Sequence, residues 1–197
     1  VFEPGDEVVR ASTIESITFK EGASGRLGFV AVRHHYRVAG RLVLDERQDI
    51  VYREDPAPGG AGTAASPRPA APSPARAEEP AAEVLLRWEV ASDPVLLFRY
   101  SALTFNSHRI HYDLPYATEE EGYRGLVVHG PLTATLLLDL AARHFGDNAL
   151  TRFDFRGTSP AICGEELHLA LRGDDDAIVL GAFASDGRQV MAASAAR

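Results

Sequence analysis

The sequence contains very little sulfur. Its 197 residues include one cysteine, Cys163, and one methionine. A single cysteine excludes an internal disulfide and any metal site that is built from several thiolates. We therefore expect no thiolate metal centre, and we predict no metal site elsewhere in the chain.

Long apolar runs and an excess of positive charge are missing as well. No apolar run approaches the ~20 residues that a membrane-spanning helix needs, and no signal peptide is recognisable. The formal net charge of −8 argues against nucleic acid or an anionic membrane as the main partner. We expect a soluble, cytoplasmic protein that binds neither nucleic acid nor membrane.

A third absence is apolar periodicity in residues 56–82. This segment holds seven of the 12 prolines, and Ala, Gly and Ser fill most of the rest, which is the composition of a disordered linker. A flexible chain of this length spans about 30 Å, and a low-complexity binding tail is the alternative. The predicted linker separates a first part, residues 1–55, from a second part, residues 83–197.

The first part contains three strand-like segments, at residues 7–20, 26–38 and 41–53. Their alternating apolar and polar residues and the short turns between them predict an antiparallel meander. No helix accompanies these strands, and a three-stranded sheet with an uncovered apolar face is not a stable domain. The first part is therefore predicted to be an incomplete unit that packs against something else.

The second part contains one clear helix, at residues 131–145, which is apolar nearly all round and should be buried. We place Leu132, Thr135, Leu136, Asp139 and Ala142 along its length at helical spacing. Strands are predicted at residues 83–91, 150–155, 166–172, 178–185 and 189–195, and the segment 95–102 fits either a strand or a helix. A long buried helix with an antiparallel meander predicts an α+β fold of the hotdog type, in which a sheet wraps around a helix.

Titratable side chains concentrate just before this helix. Residues 100–131 include three of the seven histidines, His108, His111 and His129. The segment ends at Gly130-Pro131, where the helix begins and where its dipole favours negative charge. Such a group of side chains beside a helix amino terminus is suited to carbonyl chemistry, so we predict the functional site here.

Two runs in this segment resemble the signature of a known family. NSHRIH at residues 106–111, followed by Tyr112-Asp113, and GLVVHG at residues 125–130 resemble the MaoC-like hotdog hydratases. The signature of that family is Asp-x-Asn-Pro-x-His, then x-Asp, with a later His-Gly helix start. TFNSHRIHYD is similar to the subgroup of 3-hydroxyacyl-thioester dehydratases and mesaconyl-CoA hydratases.

The first part resembles the end of that subgroup's N-terminal hotdog. The resemblance thus covers nearly the whole chain outside the linker, and it implies a double hotdog whose N-terminal unit is incomplete and lacks its helix. We expect either a truncated chain or a cover supplied by another subunit.

The resemblance implies reversible hydration and dehydration of an enoyl or 3-hydroxyacyl thioester, such as mesaconyl-CoA or another short-chain enoyl-CoA. His111 is then the acid–base residue, because its ordinary pKa lies near neutral. Asn106 stands where the family has Asp and would orient a water molecule through its amide. His108 would assist from the same loop, and Asp113 would fix the tautomer of His111.

The remaining implied roles concern the thioester and its carrier. Backbone N–H groups at His129 and Gly130 would stabilise the enolate oxygen, and Arg109 and Arg124 would contact phosphates of the CoA or phosphopantetheine arm. The resemblance implies no cofactor beyond the substrate's own CoA or phosphopantetheine, and it implies a homo-oligomer.

Three alternatives stay open at this point. A hotdog thioesterase would need a carboxylate aimed at the thioester carbonyl, which the pattern of Asn106 and His111 does not favour. A non-catalytic acyl-CoA-binding or structural hotdog would explain the missing Asp and the missing helix. Each histidine, and Asp113, also fits an ordinary core, loop or capping position.

Overall fold

The computed structural model describes residues 2–22, 25–53, 84–173 and 178–197. The predicted linker, residues 56–82, lies outside these ranges. The contacts divide the chain into two compact units, Val1–Gly60 and Ala61–Arg197. Within the described residues, neither helix is both long and apolar enough to cross a membrane.

The first unit contains a three-stranded antiparallel sheet in the order β1-β2-β3. β1 is Val8–Gly22, β2 is Gly25–Val38 and β3 is Arg41–Arg53, so the predicted meander is confirmed. Ala39 and Gly40 both have positive φ, 48° and 78°. Such a pair makes the two-residue turn whose twist fits a hairpin, and it joins β2 to β3.

The two faces of this first sheet differ in chemistry. One face carries an ion-pair network in which Arg33 binds Glu15 and Asp45, while Arg47 binds Glu15 and Asp49. The opposite face carries apolar side chains that pair across the strands, as Ile17 does with Val30, which in turn pairs with Ile50. No helix lies among the described residues of this unit, and Ile17 is 57% exposed.

The elements of the second unit are β4 (Val84–Ala91), α1 (Pro94–Thr104), α2 (Gly130–Phe145), β5 (Arg152–Gly157), β6 (Glu166–Gly173), β7 (Ile178–Ala184) and β8 (Gln189–Ala196). Its five strands form a sheet in the order β4-β6-β7-β8-β5, with antiparallel neighbours throughout. A helix, α2, lies against four of these strands, β4, β6, β7 and β8. This is the predicted α+β arrangement of a sheet around a helix.

The ambiguous apolar segment 95–102 belongs to helix α1. Asp93 caps the helix, because its Oδ1 accepts a hydrogen bond from the Leu96 N–H at 2.6 Å, and Pro94 occupies the first turn, where its fixed φ is favourable. The helix ends at Phe105, whose φ is 53°. These end signals decide between the helix and the strand that the apolar run alone leaves open.

The buried face of α2 differs from the row of residues that the sequence suggested. Thr135 is exposed, and Leu136, Asp139 and Ala142 are only partly buried. A helix that is apolar nearly all round gives no periodic signal for its inner face, so the wrapping sheet decides which side is covered. The buried residues are Leu132, Thr133, Ala134, Leu137, Leu140 and Ala141.

Candidate active site

The predicted site segment runs between α1 and α2 as short irregular turns. A 3-10 turn at Arg109–His111 is followed by a π-helical turn at Tyr116–Glu120, a form that is frequent at functional sites. The returning chain is then held in place, because the Val127 N–H donates to Ile110 O and the Val128 N–H donates to Ala161 O, each at 2.9 Å. This anchoring brings the start of α2 beside the 3-10 turn.

His111 lies in the 3-10 turn and exposes 6% of its surface. Its Nδ1 is 2.7 Å from Val127 O, and since a carbonyl oxygen only accepts, Nδ1 carries the proton. In the neutral ring, Nε2 is then the basic nitrogen. Burial lowers the pKa of His111, and the nearby His108 lowers it further, against the opposing effect of the Val127 hydrogen bond. His111 is therefore a neutral base with a defined tautomer.

His129 stands immediately before α2 and stacks on His111. The ring centroids are 3.7 Å apart with an interplanar angle of 18°, and the Tyr100 ring lies 4.8 Å away. His129 is 0% exposed, and its Nε2 is 2.8 Å from the Ser101 hydroxyl. Burial, with a further contribution from His111, lowers the pKa of His129 to about 4. Both stacked rings are thus neutral at pH 7.

Asn106 follows the carboxyl end of α1. Its N–H donates to Ser101 O at 2.9 Å, and its Oδ1 accepts from the His108 N–H at 3.0 Å, a local turn that Asn side chains favour. The amide NH₂ of Asn106 has no acceptor in the part of the chain that the structure describes, so it is available as a donor. His108 itself is exposed, and its ring meets the His111 ring edge-on at 5.6 Å.

A cavity of 330 Å³ lies beside these residues. Asn106, Ser101, Ser107 and Tyr112 are the residues with polar side chains in its lining. Ser101 links the cavity to the stacked rings through its bond to His129. Pockets of this size with mainly apolar walls and few polar groups bind small organic ligands. The lining residues are Phe98, Ser101, Ala102, Phe105, Asn106, Ser107 and Tyr112.

The predicted role of Asp113 in fixing the tautomer of His111 is wrong. Its carboxylate accepts from Arg109 Nε at 3.0 Å and Arg109 Nη2 at 2.7 Å, and it also accepts from the Tyr116 N–H. The Arg109 guanidinium holds the pKa of Asp113 below its usual range. The carbonyl of Val127 takes the place that the sequence assigned to Asp113, because the turns carry residue 113 toward Arg109.

The two arginines predicted to contact phosphate are paired with carboxylates. Arg109 binds Asp113 and stacks over the Tyr116 ring at 4.1 Å, while Arg124 binds Glu165 at 2.6 Å. Both side chains keep more than half of their surface exposed, 55% and 63%. Their contact with phosphate stays a prediction.

The start of α2 keeps backbone donors without a partner. His129 is the N-cap residue, but its ring does not cap the helix, and the Gly130 N–H finds no acceptor among the described residues. The first N–H groups of a helix are unpaired unless something caps them. The His129 side chain, which the sequence assigned to substrate contact, is fully buried, so only the backbone at this position is left for that role.

Sequence reasoning missed Ser101 and Val127. Each bonds a histidine that is distant in sequence, by 28 positions for Ser101 and 16 for Val127. Ser101 had one weak signal, since it is a polar residue in the mainly apolar segment that became α1. Val127 acts through its backbone, which leaves no signal in the sequence. Within the described ranges, no group of three or more His, Cys, Asp or Glu side chains is placed to hold a metal ion.

Comparison with known proteins shows which families the chain is similar to. The family model of hydroxyacyl-thioester dehydratase type 2 matches residues 2–163. A mesaconyl-C(4)-CoA hydratase of Chloroflexus aurantiacus is 43% identical over 190 residues, 96% of this chain. The mitochondrial hydroxyacyl-thioester dehydratase type 2 of Schizosaccharomyces pombe is 38% identical over 86 residues, 43% of this chain. The chain spans 63% of the first relative and 29% of the second.

A solved structure, a MaoC-like dehydratase, aligns with 98% of this chain and 70% of its own, with a TM-score of 0.69 and 22% identity. Similarity at this identity shows the fold. The α+β double-hotdog prediction is confirmed, including a first unit whose described residues contain no helix.

Proposed function

The chain belongs to the hydroxyacyl-thioester dehydratase type 2 family, and from this premise we propose that it catalyses the reversible hydration of an enoyl thioester to a 3-hydroxyacyl thioester. The observation that carries the proposal is the state of His111. Its Nδ1–H is bound to Val127 O, so that a neutral, partly desolvated Nε2 is left to move protons. Family membership and the mesaconyl-C(4)-CoA hydratase relative support a short-chain enoyl-CoA substrate, with mesaconyl-CoA as a candidate.

In the first step, water adds to the β-carbon. The Asn106 amide donates a hydrogen bond to the water oxygen and orients it. His111 Nε2 removes one proton as the oxygen forms its bond to the β-carbon. The electron pair of the carbon–carbon double bond then joins the α-carbon to the carbonyl carbon, and the carbonyl electron pair moves onto the thioester oxygen. The Gly130 N–H, at the positive end of α2, stabilises the enolate that results.

In the second step, the enolate takes up a proton. His111 has become an imidazolium with a lowered pKa, so it is a good acid, and its Nε2–H delivers the proton to the α-carbon. One water molecule has then been added across the double bond, and His111 has returned to its neutral form. A single histidine thus does the proton transfers that a carboxylate and a histidine would share, because Asn106 cannot act as a base.

The cavity beside Asn106 supports this assignment. Phe98, Ala102 and Phe105 give it apolar walls suited to an acyl group, and Asn106 is among its lining residues. A thioesterase is disfavoured, because the groups of the described residues that bond or stack with His111 are Val127, His108 and His129 and include no carboxylate.

The test follows the enoyl-thioester absorbance after the protein is mixed with crotonyl-CoA or mesaconyl-CoA. We expect the absorbance to fall to an equilibrium level, and the 3-hydroxyacyl-CoA product to appear in mass spectra. Release of free CoA instead would indicate a thioesterase. Binding of acyl-CoA without any loss of absorbance would indicate the non-catalytic module and would overturn the proposal.

Three further predictions accompany this function. The enzyme is expected to need no cofactor beyond the CoA or phosphopantetheine of its substrate, to form a homo-oligomer and to be cytoplasmic. Activity after dialysis against a chelator, the mass of the particle in solution, and the location of a tagged full-length protein would test them in turn.

A further inference from the structure

His129 is a buried side chain near His111 that has no part in the proposed reaction. It is completely buried, so it cannot reach substrate or solvent. Its Nδ1 has no hydrogen-bond partner among the described residues. Burying a polar group without a partner is unfavourable, and an apolar ring would avoid that cost. The presence of an imidazole here therefore calls for a physical reason.

The hydrogen bond to Ser101 fixes the state of the His129 ring. An unpaired buried N–H is rarer than an unpaired acceptor, so the proton belongs on Nε2, which donates to the Ser101 hydroxyl at 2.8 Å, and Nδ1 is a bare acceptor. Tyr100, also on α1, contacts the ring from a second direction at 4.8 Å. The ring is thus held by α1 although it belongs to the start of α2.

The fixed ring in turn limits the movement of His111. Two rings stacked at 3.7 Å and nearly parallel, at 18°, leave no room for the His111 ring to rotate about its Cβ–Cγ bond. The hydrogen bond to Val127 O holds the same ring at Nδ1. The two constraints together leave one ring orientation, with a defined position for Nε2.

We propose that His129 is a positioning residue, whose neutral ring, tied to α1 by Ser101, holds the His111 imidazole in the orientation that directs Nε2 at the substrate. This inference rests on the proposed function insofar as it takes His111 as the base. This role gives a reason for an imidazole at residue 129, because the ring fills the space over His111 and also has a donor for Ser101.

The groups around His111 and His129 also affect the pKa of His111. The groups that face these rings are the phenol of Tyr100 and the hydroxyl of Ser101 from α1, and the imidazole of His108 from the loop. None is a carboxylate that would favour an imidazolium. A loosened stack would admit water, and the pKa of His111 would rise toward its ordinary value.

The first experiment needs no substrate. Nitrogen-15 NMR of the histidine rings in the full chain reports the tautomer and the titration of each ring. We expect His111 in the Nδ1–H form in the wild type, with His129 neutral down to about pH 4. In Ser101→Ala, a small change that removes only the hydroxyl, His111 should show mixed tautomers and titrate at higher pH. His144→Gln, at an exposed position on α2, is the matched control.

The second experiment measures turnover across pH. Ser101→Ala should lower kcat by about 10-fold with little change in KM, since small misplacements of catalytic groups have effects of this scale, and the acidic limb of kcat/KM should move to higher pH. Ser101→Thr retains the hydroxyl and should restore most of the rate. His129→Phe keeps a ring over His111 but has no donor for Ser101, so it should give mixed His111 tautomers as Ser101→Ala does.

The outcomes separate this proposal from the proposed reaction. An unchanged His111 tautomer and an unchanged pH profile in Ser101→Ala, with only a lower melting temperature, would make His129 a purely structural residue and overturn the proposal. A wild-type protein that hydrates no enoyl thioester would overturn the reaction, while the NMR spectra would still decide whether His129 positions His111.

Discussion

The two sheets of this protein have similar strand patterns but very different surroundings. In the second unit, the sheet lies around α2, and its inward residues, such as Leu169 and Leu171, are 0% exposed. In the first unit, Phe19 and Tyr52 lie on an apolar face at 61% and 59% exposure, and the described residues of that unit contain no helix. A sequence that forms strands is therefore not sufficient to bury a sheet.

The difference also concerns the histidines. His34 and His35 of the first sheet sit on strand positions with partly exposed rings, and His34 bonds the neighbouring Ser12 at 2.8 Å. His111 and His129 of the second unit are buried, stacked and bonded to groups far away in sequence. The covering helix thus has two consequences, since it excludes water from a core and its amino terminus brings the two histidine rings together.

The largest expected contrast is in stability. Leu137→Ala removes a fully buried side chain of α2 and should lower the free energy of unfolding by about 2–5 kcal/mol. Ile17→Ala, on the uncovered face, should change it by less than about 1 kcal/mol. Trp88, the single tryptophan, lies in β4 of the second unit, so its fluorescence during urea unfolding reports the second unit, while far-ultraviolet circular dichroism reports the strands of both units. Equal losses in the two variants would show that the first sheet is covered in solution.

The second contrast is in the response to acid. Burial lowers the pKa of His129 to about 4 and also lowers that of His111, while a histidine in the unfolded chain titrates near 6.5. Between these values the unfolded chain binds more protons than the folded one, so stability falls as the pH falls below about 6.5. The loss on reaching pH 4 should be up to about 3 kcal/mol for His129. Urea midpoints followed by Trp88 at several pH values would measure it, and His129→Phe should flatten the dependence.

The third contrast is in catalysis. His111→Ala should reduce turnover of an enoyl-CoA by about 10²-fold or more, the usual scale for the loss of an acid–base group. His34→Ala, a histidine of the first sheet, should leave turnover unchanged. The rate of absorbance loss with crotonyl-CoA would compare the two variants. Unchanged turnover in His111→Ala would remove the basis of the proposed mechanism.

The parts of the structure that the sequence predicted are those that depend on neighbouring residues. The strands of both sheets and the helix at residues 131–145 follow from local patterns. The contacts of Ser101 with His129 and of Val127 with His111 could not be predicted, because they join residues far apart and one of them uses the backbone. Asp113 was misassigned for the same reason, since closeness in sequence to His111 was taken for closeness in space.

The smallest expected effect tests whether Asp113 has any part in orienting His111. Asp113→Asn removes the partner of Arg109 but touches neither Val127 nor the stacked rings, so turnover should stay within about twofold, as for most exposed ion pairs. The Arg109 guanidinium lowers the pKa of Asp113, so the pair stabilises the fold above the ordinary pKa of Asp, and that contribution is lost as the pH falls through the lowered value. Asp113→Asn should remove only this acid-dependent contribution to the stability of the fold. A large loss of turnover, or a changed His111 tautomer in the NMR spectrum, would instead give Asp113 the orienting role that the structure assigns to the Val127 carbonyl.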